Sequence, residues 1–163
     1  MSDDQTLSPS TENDKPELTL EQLRALPVPD QDFNTPEGAL LCFEEACRRR
    51  NIESVCVCKN FLIEGILALL NTDPNLVRNA ELRKRNAVLL ERTFRKELTE
   101  SWPDLKGVEI FFIDRQVYIK GIVIVTELRR LPDGSFNKLN YLVANTAAGW
   151  RVLNQISDDE IEG

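Results

Sequence analysis

The fold is decided by the stretch VYIKGIVIVTELRRLPDGSFNKLNYLVANTAAGWRVLNQI, residues 117–156. It is rich in β-branched and aromatic residues, and two turn signals divide it, Pro132-Asp133-Gly134-Ser135 and Ala147-Ala148-Gly149. Together with VEIFFI at 108–113, this pattern predicts about four antiparallel strands that follow one another as a meander.

Helical patterns precede the strands. Thr35-Pro36-Glu37 is a helix start, because threonine caps, proline fits the first helical position and glutamate suits the positive dipole end. We expect a first helix to about Arg50, a short second helix over 52–59, an apolar turn-rich stretch over 61–70 and a third helix over 73–102. This order predicts an α+β domain with three N-terminal helices packed on one face of a curved antiparallel sheet.

The net charge of −7 is concentrated at the two ends of the 163-residue chain. Residues 1–32 hold eight acidic and two basic side chains with four prolines, and residues 157–163 hold four acidic and no basic ones. We predict a disordered acidic tail over 1–32, the folded domain over 33–156 and an acidic C-terminal tail over 157–163. Without a signal peptide or an apolar run of roughly 18 residues, the protein is predicted to be cytoplasmic and to make no membrane contact.

The composition also restricts the chemistry. Because histidine is absent, Ser-His-Asp and Cys-His arrangements are excluded, and we assign no catalytic residue. The spacing of the four cysteines does not match that of zinc sites, so we predict reduced, largely buried thiols and neither metal nor cofactor; these are Cys42, Cys47, Cys56 and Cys58.

The two turns predict which side chains share a face of the sheet. If Asp133-Gly134 form a two-residue turn, Ile124 faces Val143, and if Ala147-Ala148 do the same, Val143 faces Val152. The face against the helices then carries an apolar set: Ile122, Ile124, Leu128, Leu139, Val143, Trp150, Val152 and Ile156.

The same inner face carries polar side chains in this register: Tyr118, Thr126, Tyr141, Asn145 and Asn154. Two interpretations stay open, since polar groups on a core face either find hydrogen-bond partners locally or line a cavity. In the second interpretation these five residues line a pocket between sheet and helices.

The opposite face has an apolar centre with charged residues around it, and Glu127 points outward on this face. An apolar centre with a charged rim is typical of a protein-binding surface, for self-association or for another protein. The predicted interface residues are Val123, Val125, Arg129, Leu142, Arg151 and Leu153. Ordinary exposure, or cover by a tail, is the alternative.

The opening TPEGALLCFEEACRRRN at 35–51 and the ending Gly149-Trp150-Arg151-Val152 give the chain a family likeness. With their order of elements, residues 34–156 resemble the nuclear transport factor 2-like (NTF2-like, cystatin-like cone) superfamily. The superfamily includes isomerases, dehydratases and epoxide hydrolases that work inside the cone. It also includes transport factors, structural dimers and bacterial immunity proteins without catalysis, so the resemblance implies either an enzyme or a binding protein. The fold alone does not choose among them.

Two functions follow as expectations. The first is a non-catalytic protein-binding module, similar to an immunity protein that neutralises a cognate toxin, whose acidic tails would attract a basic partner. The second is a small-molecule-binding protein or an isomerase- or dehydratase-like enzyme, although the register places no carboxylate beside the inner tyrosines. Nucleic-acid binding is not favoured, because the basic stripe of Arg85, Arg92 and Lys96 belongs to a domain with only 18 basic and 15 acidic residues.

Overall fold

The computed structural model describes residues 18–162, and of Glu162 only the backbone. Its helices come mostly before one four-stranded antiparallel sheet, which confirms the α+β class. The helices are α1 (Leu20–Arg24), α2 (Pro36–Arg48), α3 (Ile52–Val57), α4 (Phe61–Thr72), α5 (Ala80–Glu100) and α6 (Asp158–Glu162), with a 3₁₀ helix at Pro74–Arg78. The strands, in the order β1-β2-β3-β4, are β1 (Glu109–Ile119), β2 (Ile122–Arg130), β3 (Phe136–Thr146) and β4 (Gly149–Ile156).

Side-chain caps begin the helices. Thr35 starts α2 as predicted, and its hydroxyl accepts a hydrogen bond of 2.9 Å from the Gly38 amide. The stretch predicted to be turn-rich is a helix instead: Asn60 caps α4 by accepting from the Ile63 amide at 2.9 Å. Asp73-Pro74 opens only the 3₁₀ helix, and Asn79 caps α5. The predicted third helix over 73–102 is therefore shorter, and α4 and α5 form a helical hairpin.

Next to its turn, the hairpin of β3 and β4 has the predicted register, but the hairpin of β2 and β3 does not. Val143 pairs with Val152 as expected, whereas Ile124 pairs with Leu142 rather than with Val143. The loop between β2 and β3 is one residue longer than a tight turn. The Leu131 amide donates to the Ser135 carbonyl at 2.8 Å, and Gly134 takes a φ of 90°. A shift of one residue turns every β2 side chain to the opposite face of the sheet.

A β-bulge changes the pairing of β3 and β4 as well. Tyr141 pairs with Gln155, one residue beyond the partner that an uninterrupted ladder from Val143 and Val152 would give it, and Ile156 lies opposite Asn140. The inner face therefore carries the β3 residues that were predicted to lie there. From β2, however, it carries the odd-numbered residues instead of the predicted even-numbered ones.

Both faces of the sheet are covered by the chain itself. On the inner face α2 packs Ala39 and Leu40 against a buried cluster that contains Val125, Val143 and Val152. On the outer face Ile63 and Leu67 of α4 and Ile161 of α6 pack against Ile122, Ile124, Leu142, Ala144, Leu153 and Ile156. The helices are thus not confined to one face of the sheet.

The described parts of the two predicted tails belong to the domain. Leu23 of α1 is only 1% exposed and packs on Phe111 and Leu128, and Arg24 donates to both Glu109 oxygens at 2.9 and 2.6 Å. At the other end, Asp158 accepts a hydrogen bond of 2.8 Å from the Asn140 amide group. The prediction of a disordered tail is therefore wrong where it covers α1, because the apolar side of this helix is buried. Residues 1–17 and Gly163 lie outside the described residues.

Within residues 18–162, none of the helices has the length and apolar character needed to cross a membrane.

Candidate functional site

A pair of buried glutamates lies between α2 and the inner face of the sheet. Glu44 is 1% exposed and Glu127 is 0% exposed, although charged side chains are rarely buried so completely. The expectation that Glu127 points outward is wrong, because the longer loop between β2 and β3 places the odd-numbered residues of β2 beneath α2.

Arg129 connects the two carboxyl groups. Its Nε donates to Glu127, and its Nη2 donates to Glu44 at 3.3 Å and to the Tyr141 hydroxyl at 3.2 Å. Gln155 donates to the same hydroxyl at 3.3 Å. We call these five residues the glutamate cluster. The second oxygen of each glutamate, Oε1, is buried and has no hydrogen-bond partner among the described residues.

The cluster favours a protonated Glu44. Burial raises the pKa of Glu44 well above its ordinary value. The carboxyl group of Glu127 raises it further, through its charge and because it accepts a hydrogen bond only from a protonated Glu44, while Arg129 opposes this rise. One guanidinium neutralises one carboxylate, so a proton on Glu44 removes the remaining buried negative charge. Burial also raises the pKa of the Tyr141 phenol and raises the pKa of the Cys47 thiol to about 11, which keeps both groups protonated at neutral pH.

An inward carboxyl group beside a phenol is a donor set suited to acid–base chemistry. Here, however, the groups are packed: Tyr141 is only 4% exposed, and Phe43 of α2 lies 6.4 Å from its ring centroid. A cavity of about 410 Å³ lies nearby, but of its lining residues only Cys47 approaches the cluster. As folded, the cluster holds α2 to the sheet.

The residues predicted to line a pocket are not brought together. Only Tyr141 lies in the glutamate cluster. Thr126 is buried and donates to Asn140 at 2.8 Å, and Tyr118 packs with Ile122 on the outer face. Asn145 is exposed, and Asn154 donates to the carbonyl of its neighbour Gln155 at 3.2 Å. The first interpretation, local hydrogen-bond partners, fits Thr126. The second does not hold, because the five residues do not lie together and so do not line a common pocket.

The predicted interface residues do not form one surface either. Val123 and Val125 pack on the inner face, and Arg129 belongs to the glutamate cluster. Leu142 and Leu153 are 3% and 1% exposed beneath α4 and α6, and the Arg151 guanidinium carbon lies 3.9 Å from the centroid of the Phe33 ring. The register assigned Val123, Val125 and Arg129 to the wrong face, and the chain's own helices cover the apolar centre.

An exposed apolar patch occurs elsewhere, on α5. Val88 is 57% exposed and Leu89 48% exposed at the middle of the helix. Exposed basic side chains stand one helical turn away on either side, whereas Glu91 turns toward Arg95 and accepts from it at 2.8 Å. We define the α5 outer face as Lys84, Arg85, Val88, Leu89, Arg92 and Lys96.

All four cysteines are free; Cys47 and Cys58 are buried, and Cys42 and Cys56 are half-buried. Burial raises the pKa of Cys58 to about 12, so this thiol is not a nucleophile at neutral pH. Between Leu18 and Glu162, no three or more Cys, Asp or Glu side chains are grouped closely enough to hold a metal ion.

Comparison with known proteins finds no matching family model, no matching curated protein and no matching solved structure.

Proposed function

We propose that this protein is a non-catalytic binding module that holds a partner protein on the α5 outer face. The observation that carries the proposal is the exposure of two aliphatic side chains, Val88 and Leu89, on a helix face with four basic residues, although the exposed Glu81 lies one turn before Lys84 and Arg85 on the same face. An apolar centre with a charged rim is the arrangement found in protein interfaces.

The charge of this face specifies the partner. Lys84, Arg85, Arg92 and Lys96 would meet acidic side chains, while Val88 and Leu89 would enter an apolar patch at the middle of the contact. A phosphate backbone offers nothing apolar to bury against them. Two aliphatic side chains are also too small an anchor for a membrane surface.

The resemblance to immunity proteins supports a toxin as the partner. In that case the toxin must be acidic where it contacts α5, in contrast to the basic partner expected from the acidic tails. The described acidic residues at the C-terminal end are already engaged in part, since Asp158 contacts both Asn140 and, at 3.5 Å, Lys138.

An isomerase-like enzyme is the alternative, and it draws support from the inward carboxyl groups and Tyr141. It requires α2 to move off the sheet, because Glu44 and Glu127 are both closed to solvent. The α5 outer face needs no rearrangement, and binding is therefore the function that the geometry favours.

The test compares two valines. Val88→Asp and Val117→Asp introduce the same charge at exposed positions, 57% and 75% exposed, on α5 and on β1. The partner is first isolated with the full chain and then purified, and its affinity is measured by calorimetry. We expect Val88→Asp to weaken binding at least about 10-fold, as a central interface residue does, and Val117→Asp to leave it within about 2-fold.

Circular dichroism shows whether each variant is folded. An unchanged affinity for Val88→Asp, or an equal loss for Val117→Asp, would reject the α5 outer face as the binding surface. Arg92→Glu adds a second measurement: it should weaken binding more at low than at high salt, because salt screens exposed charges.

A further inference from the structure

The cavity of about 410 Å³ lies between the end of α2 and the loop that leads into β1. It is open to solvent on one side, and its volume is within the range of sites that bind small molecules, about 300–1,000 Å³. It is lined by Cys47, Arg48, Arg50, Pro103, Asp104, Leu105, Lys106, Gly107 and Val108. It is separate from the α5 outer face.

Arg50 has an unusual backbone for its residue type. The Asn51 amide donates to the Ala46 carbonyl at 3.1 Å and the Arg50 amide to the Cys47 carbonyl at 3.0 Å, which is the Schellman arrangement at a helix end. The residue at this position is usually glycine, because its φ is positive; here φ is 53° on an arginine. A side chain kept where glycine is easier suggests a role for that side chain.

The cavity is basic. Three of its side chains are cationic (Arg48, Arg50 and Lys106) and one is acidic (Asp104), and an oxygen of Asp104 accepts the Lys106 amide at 3.1 Å. Among residues 18–162, Arg50 and Lys106 take part in no ion pair, and Arg48 reaches only Glu45, at 3.7 Å. An excess of two positive charges matches a doubly charged anion better than a singly charged one.

We propose that this cavity binds a small molecule that carries a phosphate group. The guanidinium groups of Arg48 and Arg50 would bind the phosphate oxygens with paired N–H groups, which is the geometry that arginine offers to phosphate. Lys106 would supply the third charge from the facing loop. The remainder of the molecule would fill the space above Leu105 and Pro103.

The experiment titrates the ¹⁵N-labelled full chain with inorganic phosphate and, separately, with acetate, at constant ionic strength and pH 7.5. We expect amide shifts confined to residues 47–50 and 104–108, with phosphate bound at least about 10-fold more tightly than acetate. Arg50→Gly should weaken phosphate binding about 10-fold or more. The same variant should raise Tm by about 2 °C, because glycine adopts the positive φ without strain.

Arg49→Ala is the matched control. It removes the same charge from the neighbouring residue, which is 73% exposed, pairs with Glu45 and does not line the cavity. Its phosphate affinity should stay within about 2-fold of the wild type. Equal losses for Arg49→Ala and Arg50→Gly, equal binding of acetate and phosphate, or shifts spread over the surface would overturn the proposal. Val88→Asp should bind phosphate normally, so this result is independent of the proposed protein partner.

Discussion

The glutamate cluster and the α5 outer face are opposite exceptions to the usual placement of charged and apolar side chains. In the cluster, Glu44 and Glu127 are enclosed by the helix and the sheet, at 1% and 0% exposure. On α5, Val88 and Leu89 remain about half exposed between solvated cations. The glutamate cluster keeps charged side chains away from water, whereas the α5 outer face leaves apolar side chains in contact with water.

The difference separates a structural role from a binding role. Buried charges are costly to leave unpaired, so the cluster fixes one position of α2 on the sheet through Arg129. The exposed valine and leucine contribute little to folding and are free to contact another molecule. We therefore expect substitutions in the cluster to change stability and substitutions on α5 to change binding.

The largest expected effect comes from Arg129→Leu. This change leaves Glu127 buried without its cation, and breaking a buried ion pair on one side costs about 3–5 kcal/mol. Urea unfolding should show this loss. The control is Arg130→Leu on the same strand: Arg130 is 31% exposed and lies 3.6 Å from Glu109, so we expect a loss below about 1 kcal/mol.

A second variant tests the reason for this loss. Glu127→Gln combined with Arg129→Leu removes the buried charge together with its partner and should recover part of the stability. Similar losses for Arg129→Leu and Arg130→Leu would show that the cluster is not the anchor of α2.

A smaller effect concerns the protonation of Glu44. Its pKa is raised in the folded state above the ordinary value of 4.5, so folding favours the protonated form. This contribution is complete below the unfolded pKa and is lost as pH rises through the folded pKa, at up to about 1.4 kcal/mol per pH unit. Glu44→Gln keeps the shape of the neutral acid and should flatten the decline of stability above about pH 5.

Urea unfolding of wild type and Glu44→Gln at a series of pH values between about 5 and 9 measures this difference. Glu97→Gln, at an exposed position on α5, serves as the control and should follow the wild-type curve. A wild-type curve that runs parallel to the Glu44→Gln curve over this range would mean that Glu44 is ionised in the fold.

Much of the fold follows from local signals in the sequence. Thr35 caps α2, and Ala147-Ala148 set the pairing of Val143 with Val152, because caps and tight turns depend on a few neighbouring residues. The helix α4 was missed because its residues are apolar on all sides, which hides a helical period, although Asn60 was a visible cap.

The glutamate cluster was missed because one turn was assigned the wrong length. The residues Ile122, Val123, Ile124 and Val125 are all apolar, so alternation in β2 does not show which face is buried. Pro132 was the signal available: it suits the second position of a type I turn, whereas a tight turn at 133–134 would have placed it in the strand. The cover of the outer face depends on contacts distant in sequence, which no local pattern reports.

The smallest expected effect tests the turn that puts Glu127 and Arg129 inside. Gly134 has a φ of 90°, which costs other residues about 1 kcal/mol, so Gly134→Ala should lose about that amount in urea unfolding. Gly134→Asn should lose less, because asparagine tolerates a positive φ. Nuclear Overhauser contacts between the paired residues Val123 and Val143 report whether the register survives. If Gly134→Ala is as stable as the wild type, the three-residue loop does not hold the register, and the placement of the glutamate cluster depends on the packing of α2 alone.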